Sequence, residues 1–216
     1  MTSSPSLVLA STSPRRRELL GRLGQPYTVV PIDVDETPLP GERPAQTAER
    51  LALAKARAAR AALPADVEAV IVGADTIVVH HGHPLGKPET PAEAVGMLQR
   101  LRGETHRVIS GVAVLDTRTG ADRIATATTR VHLRPLTDAE IAAYVATGDP
   151  LDKAGAYAIQ NREFQPVEWI EGCYSNVVGL PLCTLATELI AFGVEVAPEW
   201  QAGSRRCQCA RILSQA

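Results

Sequence analysis

The sequence predicts an α/β protein in which a mixed sheet with flanking helices forms two lobes around a central cleft. Short apolar strands and capped helices alternate along the 216 residues, with hairpins as well as crossover connections. Hydrophobic residues make up 45% of the chain, which is enough for one sizeable core. We expect one continuous domain over residues 1–200 and a frayed tail over residues 201–216.

Two capped helices separate the strands of the first half. Ser13 and Pro14 are an N-cap and a first-turn proline, which predict a helix from there to about Leu23. A long alanine-rich helix follows from about Ala45, and Pro64 ends it. The predicted strands of this half are Leu7–Ala10, Tyr27–Ile32, Val67–Val72 and Ile77–Val79.

Capping boxes and a hairpin organise the second half. Thr90 and Thr137 are each followed three residues later by a glutamate, which predicts the start of a helix. Residues 151–160 are predicted to be a loop that enters a strand. The other predicted elements are the hairpin strands Val108–Leu115 and Ile124–Leu133, the strand Val167–Ile170 and a final helix within Leu180–Phe192.

Composition and charge exclude several classes of function. A formal net charge of -2 and 4% aromatic residues argue against nucleic-acid binding through overall positive charge. The longest nearly apolar stretch, Val177–Ala186, is shorter than the roughly 20 residues of a membrane span. Residues 1–6 lack a secretory signal, and four cysteines are too few for a disulfide scaffold. We therefore expect a cytoplasmic protein without a nucleic-acid or membrane partner.

The start of the first helix has the composition of a phosphate site. Arg15, Arg16 and Arg17 occupy its first turn, where the positive end of the helix dipole favours carboxylates over guanidinium groups. The Ser-Thr-Ser loop at residues 11–13 adds hydroxyl and backbone N–H groups, which bind phosphate together with arginine. The alternative is a basic surface helix in contact with solvent.

Three charged residues lie at positions where the hydrophobic pattern of the sequence predicts burial or a functional site. Lys55 is on the apolar face of the long helix, so it needs a partner, a cleft or a path along which it snorkels to the surface. Asp75 lies between two apolar runs, where a metal ion, a basic partner, a catalytic proton or an Asx turn would explain it. Glu36 is either a hard oxygen ligand for Mg²⁺ or Mn²⁺ or part of an exposed acidic loop.

Lysine is rare in this chain. Only Lys55, Lys87 and Lys153 occur among 22 basic residues. In an arginine-rich sequence a lysine can mark a position that needs a compact ammonium group, although three residues also fit chance.

A predicted turn contains three histidines. His80, His81 and His83 have the side chain of a metal ligand. Because a hairpin tip is in contact with solvent, we expect exposed rings there and no metal site.

Seven short motifs follow one another between roughly Leu7 and Leu189. They are Leu9-Ala-Ser-Thr-Ser-Pro-Arg-Arg-Arg-Glu-Leu-Leu20, Leu53-Ala-Lys-Ala56, Gly73-Ala-Asp-Thr76, Leu85-Gly-Lys-Pro88, Gly103-Glu-Thr-His106, Asp152-Lys-Ala-Gly-Ala-Tyr-Ala-Ile-Gln160 and Asn176-Val-Val-Gly-Leu-Pro181. In this order they resemble the Maf family of nucleoside triphosphate pyrophosphatases, which have an α/β fold. Two departures, Arg102 where serine is usual and the tail beyond about Trp200, lie outside the cleft motifs.

The resemblance implies hydrolysis of a nucleoside triphosphate between its α and β phosphates with a divalent cation, Mg²⁺, Mn²⁺ or Co²⁺. Asp75 matches the family's proton acceptor, and Glu36 and Asp75 are the expected metal ligands. The positions tied to substrate choice are matched by Arg15, Thr76 and Gln160. Further family cleft residues are matched by Ser11, Arg16, Glu36, Lys55 and Lys87.

The subgroup is indicated by the stretch Lys153-Ala-Gly-Ala-Tyr-Ala-Ile-Gln160, which is similar to Maf proteins that act on dTTP and UTP. The amide of Gln160 both donates and accepts, as the edge of uracil or thymine requires. The alternatives are hydrolysis of 7-methyl-GTP or another purine nucleotide, and a nucleotide-sensing regulator of septum formation without catalysis. The resemblance also implies a homodimer and a role in removing unwanted nucleotides.

Overall fold

The structure, a computed structural model, describes residues 5–201. The strands in this part of the chain are β1 (Ser6–Ala10), β2 (Tyr27–Val30), β3 (Ala69–His80), β4 (His83–Leu85), β5 (Thr105–Asp116), β6 (Asp122–Leu133) and β7 (Val167–Glu171). The α-helices are α1 (Pro14–Gly21), α2 (Pro44–Ala62), α3 (Pro91–Leu101), α4 (Asp138–Ala146), α5 (Tyr174–Val178), α6 (Leu182–Ala191) and α7 (Pro198–Gln201). Two short 3₁₀ helices, Asp149–Asp152 and Ala154–Ala156, lie between α4 and β7.

The strands form one mixed sheet in the order β2-β1-β3-β5-β6-β7, and β4 pairs with β3. β1 is parallel to β2 and β3, whereas the other pairs are antiparallel. The long hairpin of β5 and β6 is the one predicted from the two apolar runs. The predicted fold class, a mixed sheet with flanking helices, is confirmed.

Helices cover both faces of the sheet around β1. On one face, Leu20 of α1 and Leu185 of α6 belong to the same apolar cluster as Val72 of β3. On the other face, Ala56 of α2 belongs to a cluster with Ile71. Successive side chains of β3 point to opposite faces, so one apolar strand supplies both clusters. This end of the sheet is the first lobe.

The opposite ends of β3 and β5 carry the second lobe. Val78 and Val108 share an apolar cluster with Leu98 of α3 and Ile141 of α4. Thr137 caps α4 as predicted, with its side chain on the N–H of Glu140 and the Glu140 carboxylate returning to its backbone. Because β3 and β5 run through both lobes, the lobes share one continuous sheet.

Two glycines allow α2 to lie against the sheet at backbone distance. A Cβ atom on Gly73 would lie 2.1 Å from the carbonyl oxygen of Ala52, and one on Gly111 would lie 2.4 Å from that of Ala48. Neither position accepts a side chain unless the helix moves. The close packing places Lys55, which follows Ala52 on the helix, beside the middle of β3.

The structure corrects the prediction of two separate strands at Val67–Val72 and Ile77–Val79. β3 is continuous, because Gly73 pairs with Ala113 and Thr76 pairs with Ser110 in the ladder with β5. The sequence between the two apolar runs lacks alternating hydrophobic side chains. Backbone hydrogen bonds nevertheless continue through it, so Asp75 lies within a strand and not after one.

A second correction concerns residues 151–160, which form 3₁₀ helices and turns and do not enter a strand. Gly155 and Ala156 have φ angles of 74° and 60°, a left-handed conformation that extended strands exclude. The N–H of Ala156 donates to the carbonyl oxygen of Lys153 at 3.0 Å and closes a turn. Gln160 therefore lies in a turn.

The end of the described chain contains two helices, α5 and α7, that the sequence pattern did not predict. Trp200 of α7 is buried, and its indole N–H donates to the carbonyl oxygen of Arg22 at 2.8 Å. The predicted tail, including Cys207 and Cys209, lies outside the described residues apart from Gln201 at the end of α7. Within residues 5–201, none of the helices has the length and hydropathy that a membrane span needs.

Candidate active site

A cleft opens where β3 has a free edge between the two lobes. β1 pairs with β3 as far as Gly73, and β4 pairs with it from Val78. In the described part of the chain, residues 74–77 therefore have a strand neighbour on the β5 side alone. The gap beside them leads into a cleft of about 410 Å³, a usual size for a small-molecule site.

Most of the predicted site residues line this cleft. They are Ser11, Arg15, Arg16, Glu36, Lys55, Thr76, Lys87 and Gln160. The exception is Asp75, which is buried behind Lys55 and does not form part of the cleft wall. Lys153 also lines the cleft, so all three lysines of the chain meet there.

The loop after β1 uses its hydroxyl groups to start α1. Ser13 is the N-cap, and its Oγ accepts the N–H of Arg16 at 3.4 Å. Ser11 Oγ in turn accepts the N–H of Ser13 at 3.1 Å. The first turn of α1, which contains no acidic residue, begins at the wall of the cleft. This arrangement favours an anion site over a basic surface helix.

Arg16 is half-buried, and its guanidinium donates to neutral groups. Its Nε donates to the carbonyl oxygen of Gly179 at 2.9 Å, and its Nη2 donates to Thr76 Oγ1 at 3.2 Å. Burial lowers the pKa of Arg16, and the nearby charges of Asp75 and Glu36 oppose that shift. Thr76 Oγ1 also lies 2.8 Å from Ser110 Oγ, so β3, β5 and α1 hold the guanidinium in one orientation.

Arg15 reaches across the cleft to the loop between α4 and β7. Its Nη1 lies 2.9 Å from Asp152 Oδ2, and its Nη2 donates to the carbonyl oxygen of Asp152 at 3.2 Å. The other carboxylate oxygen of Asp152 accepts from Lys153 Nζ at 2.7 Å. Lys153 also contacts Asp149 Oδ1 at 2.9 Å, so its ammonium is already well supplied with acceptors.

Lys55 bridges two carboxylates at the edge of the cleft. Its Nζ donates to Asp75 Oδ1 at 2.7 Å and to Glu36 Oε1 at 2.6 Å. Only 8% of the Lys55 side chain is exposed, so it does not snorkel to the surface. The sequence left several explanations for Asp75 open, and the structure shows a basic partner, Lys55. Glu36 contacts the same ammonium group, so it is not an unpaired surface carboxylate.

The charges around Glu36 keep it ionised. Burial raises the pKa of Glu36, but the hydrogen bond and charge of Lys55, together with Lys87 and Arg16, outweigh burial and lower that pKa. Glu36 and Asp75 each place one oxygen on Lys55, which leaves their second oxygens as hard ligands. The donor chemistry of this carboxylate pair suits a magnesium-like ion that also binds a phosphate.

Lys87 and Gln160 form the exposed rim of the cleft. Lys87 follows β4, and the loop that carries it is tied to the opposite side because the N–H of Gly155 donates to the carbonyl oxygen of Gly86 at 3.1 Å. Among the described residues, Lys87 has neither a hydrogen-bond nor an ion-pair partner, so its ammonium is available to a ligand.

The sequence reasoning missed a buried tyrosine that forms one wall of the cleft. Tyr157 lines the cleft, and its Oη lies 2.7 Å from His106 Nε2. Burial raises the pKa of Tyr157 and lowers the pKa of His106 to about 4, so both groups are neutral at pH 7. His106 ends the motif Gly103-Glu-Thr-His106, and Tyr157 lies within the motif from Asp152 to Gln160. The signal that could have revealed Tyr157 is its rarity, because aromatic residues make up 4% of the chain.

Comparison with known proteins identifies the family. The family model described as Maf-like protein matches residues 6–192. The chain belongs to the Maf family. This Maf protein is 54% identical to the dTTP/UTP pyrophosphatase of Moorella thermoacetica over 88% of the chain and 96% of that protein. It is 48% identical to the dTTP/UTP pyrophosphatase of Pelotomaculum thermopropionicum over 88% of the chain and 98% of that protein.

A more distant likeness links the Maf protein to a solved structure, the Ham1 protein of Staphylococcus aureus. The two share 17% sequence identity with a TM-score of 0.43, over 74% of this chain and 90% of that chain. At this TM-score the likeness adds nothing to the assignment of the site.

Proposed function

We propose that this Maf protein hydrolyses dTTP and UTP to the nucleoside monophosphate and pyrophosphate. The observation that carries the proposal is the charged group in which Lys55 contacts Glu36 and Asp75. Lys55 and Glu36 line the same cleft as Arg16. Two relatives named dTTP/UTP pyrophosphatase are 54% and 48% identical to the chain over 88% of its length. A binding protein without catalysis would need the cations but not the buried carboxylate.

The cations of the cleft provide a binding surface for a triphosphate. Five basic side chains line it against the three carboxylates of Asp33, Glu36 and Asp152. Arg16 and Lys87 are not paired with any of these acids in the described chain, so they receive phosphate without breaking an ion pair. Arg15 joins them by releasing Asp152, whose side chain is exposed and is readily solvated.

The remaining negative charge of the triphosphate calls for a divalent cation, for which Mg²⁺, Mn²⁺ and Co²⁺ are the expected ions. Glu36 and Asp75 would hold it, since carboxylate oxygens are ligands that such ions prefer. When bound, such an ion neutralises charge that develops on the leaving pyrophosphate.

In the proposed reaction, Asp75 accepts a proton from the attacking water. In this step the water oxygen bonds to phosphorus, the bond to the bridging oxygen between the α and β phosphates breaks, and the proton passes to the carboxylate. Lys55 holds Asp75 Oδ1 at 2.7 Å, which fixes the orientation of the carboxylate.

The nucleobase is expected to lie at the rim formed by Gln160, with Tyr157 beside it. The Gln160 amide is exposed and donates and accepts at one edge, which matches the N3–H and the adjacent carbonyl of uracil or thymine. The Tyr157 ring, fixed by its hydrogen bond to His106, gives this end a rigid apolar wall. We further expect a cytoplasmic homodimer that acts on free nucleotides. Sedimentation of the full chain would test whether it is a dimer.

A substrate panel tests the proposal. Pyrophosphate release would be measured for dTTP, UTP, CTP, GTP and 7-methyl-GTP on the wild type and on Gln160→Leu. We expect dTTP and UTP to be preferred, and kcat/KM for these two to fall about 10-fold to 100-fold in the variant, because the base loses hydrogen bonds worth about 1–3 kcal/mol. Gln99→Leu, on the exposed face of α3, is the matched control and should keep the wild-type preference.

Two results would contradict the proposal. Preference of the wild type for 7-methyl-GTP would assign the chain to a purine nucleotide, and tight binding of dTTP without pyrophosphate release would favour a nucleotide sensor. An equal loss for every substrate in Gln160→Leu would show that the amide does not read the base.

A further inference from the structure

The tip of the hairpin between β3 and β4 brings together side chains that the nucleotide cleft does not use. His80 pairs with His83 across the turn, and the two turn residues, His81 and Gly82, have φ angles of 48° and 82°. These angles are those of a tight two-residue hairpin turn. Such a turn brings the rings of His80 and His81 close together, with centroids 4.0 Å apart.

A third potential ligand comes from a different part of the chain. Glu104 precedes β5, and its Oε2 lies 3.9 Å from His81 Nε2. One ligand atom from each of His80, His81 and Glu104 lies within 4.8 Å of the others. The side chains of His81 and Glu104 are 71% and 52% exposed, so they can close the remaining distance without disturbing the core.

His80 differs from the exposed ring that the sequence predicted. It is buried, with 9% of its surface exposed. The buried ring of His80 therefore gives the site one ligand held in place by the fold, beside the exposed side chains of His81 and Glu104.

The interior behind His80 contains a second buried ring nitrogen that has no hydrogen-bond partner among the described residues. The register that pairs Val79 with Arg107 places His80 across from His106 on the neighbouring strand. Within residues 5–201, His80 Nε2 and His106 Nδ1 are both buried without a hydrogen-bond partner. Metal-bound histidines commonly donate their second N–H to a neighbouring acceptor, which fixes the tautomer.

We propose that His80, His81 and Glu104 bind a divalent transition-metal ion of the Zn²⁺ type, at a site separate from the nucleotide cleft. Two imidazoles and one carboxylate are a ligand set that Zn²⁺ accepts, with solvent in the fourth position. Mg²⁺ prefers a site made of oxygen atoms and does not compete effectively for imidazole nitrogen. The site is about 16 Å along β3 from Asp75, at roughly 3.3 Å per residue over five residues.

The position of the site gives bound metal a structural effect. It joins the tip of the β3–β4 hairpin to the segment before β5. The same hairpin continues through Leu85 and Gly86 to Lys87, which lines the cleft. Metal binding is therefore expected to stabilise the hairpin that carries Lys87.

A zinc titration of the full chain tests the site independently of catalysis. Every sample carries Cys207→Ser and Cys209→Ser, because thiols of the tail would otherwise bind Zn²⁺. Saturating Mg²⁺ occupies oxygen-ligand sites, and a chromophoric chelator reports free Zn²⁺. We expect one Zn²⁺ per chain, and an affinity that falls at least about 10-fold in His81→Ala and in Glu104→Gln.

His83→Ala is the matched control, since His83 is an exposed histidine of the same hairpin outside the three-residue set. It should bind Zn²⁺ as the background protein does. Zn²⁺ should also raise the Tm of the background protein and of His83→Ala, but not that of His81→Ala. Unchanged affinity in both ligand variants, an equal loss in His83→Ala, or no zinc binding by the background protein would overturn the proposal. Because no readout uses activity, failure here is distinct from failure of the proposed enzyme function.

Discussion

Lys55 illustrates how much of this site depends on a single side chain. It lies among the alanines of α2 on the face packed against the sheet, where an unpaired ammonium would be costly. Two carboxylates, one buried and one at the cleft, compensate its charge. Removing either partner leaves the charge of Lys55 less well compensated, so the three residues are expected to act as a unit.

Substitution of Asp75 separates catalysis from binding. Asp75→Asn keeps the shape of the side chain and its contact with Lys55 but removes the proton acceptor. We expect kcat for dTTP to fall at least about 100-fold, the usual scale for loss of a general base, with little change in nucleotide binding. Turnover would be measured by pyrophosphate release at saturating Mg²⁺.

The matched control for this experiment is Asp138→Asn, which changes a carboxylate in an exposed ion pair with Arg102. It should leave kcat unchanged. Near-wild-type turnover of Asp75→Asn would show that the buried carboxylate only holds Lys55 in place.

At the scale of elements, the contact of α2 with the sheet decides where Lys55 points. The helix approaches β3 and β5 at backbone distance because Gly73 and Gly111 carry no side chain. The free edge of β3 depends equally on two neighbours, since β1 stops at Gly73 and β4 begins at Val78. The cleft is thus a consequence of strand lengths and helix packing.

Gly73→Ala tests the packing of α2. A methyl group 2.1 Å from the Ala52 carbonyl oxygen must displace the helix, so we expect a loss of about 2 kcal/mol or more in the free energy of unfolding. The loss of activity should exceed what the unfolded fraction explains, because Lys55 moves with α2. Urea denaturation would measure the stability.

Gly96→Ala is the control for this substitution. Gly96 lies inside α3, and an added Cβ would meet nothing within 4 Å. Alanine should stabilise that helix by about 0.5–1 kcal/mol. A Gly73→Ala protein as stable as the wild type would contradict the close packing of α2.

The start of α4 gives a prediction about pH. Hydrogen bonds from Arg134 and from Thr137 lower the pKa of Glu140 from 4.5 to about 2. A lowered pKa means that the carboxylate stabilises the folded state above pH 4.5 and that this contribution is lost as the pH falls toward 2. Glu140→Gln should therefore lower Tm at pH 7 and make its decrease below pH 4.5 shallower.

Scanning calorimetry between pH 7 and 3 would measure this effect. The group is exposed, so the difference should be small and should shrink further in high salt. An identical pH dependence in the variant and the wild type would show that this capping box does not contribute to acid stability.

At the scale of the whole molecule, a ligand in the cleft contacts both lobes at once. Arg16 lies on the side of the first lobe, whereas Tyr157 belongs to the apolar cluster of the second. Since β3 and β5 run through both, the lobes should unfold together. Binding between them should therefore raise the stability of the entire domain.

A thermal-shift experiment checks this expectation. A UTP analogue with NH in place of the α–β bridging oxygen, at 100 times its Kd with Mg²⁺, should add about 2.7 kcal/mol and raise Tm by about 5–10 °C. Chelation of the metal with EDTA should reduce the shift, because Glu36 and Asp75 then face the phosphates without a cation. Equal shifts with and without EDTA would contradict a metal in nucleotide binding.

The sequence by itself determined the features that depend on local chemistry. The N-cap at Ser13, the capping box at Thr137 and the hairpin of β5 and β6 follow from residue type and spacing, and the structure confirms them. The ordered motifs likewise indicated the Maf family and the residues of its cleft, since a motif records chemistry that the chain itself carries. The family is confirmed by the match over residues 6–192.

Only the tertiary structure decided how these groups meet. The continuity of β3 comes from backbone pairing with β5, which side-chain pattern does not encode at Gly73 to Thr76. The ion pairs of Lys55 with Glu36 and Asp75 join residues 19 and 20 positions away, and Tyr157 meets His106 across 51 positions. Such contacts depend on how a helix crosses a sheet and where a strand ends, and these distances arise only when the whole chain packs together.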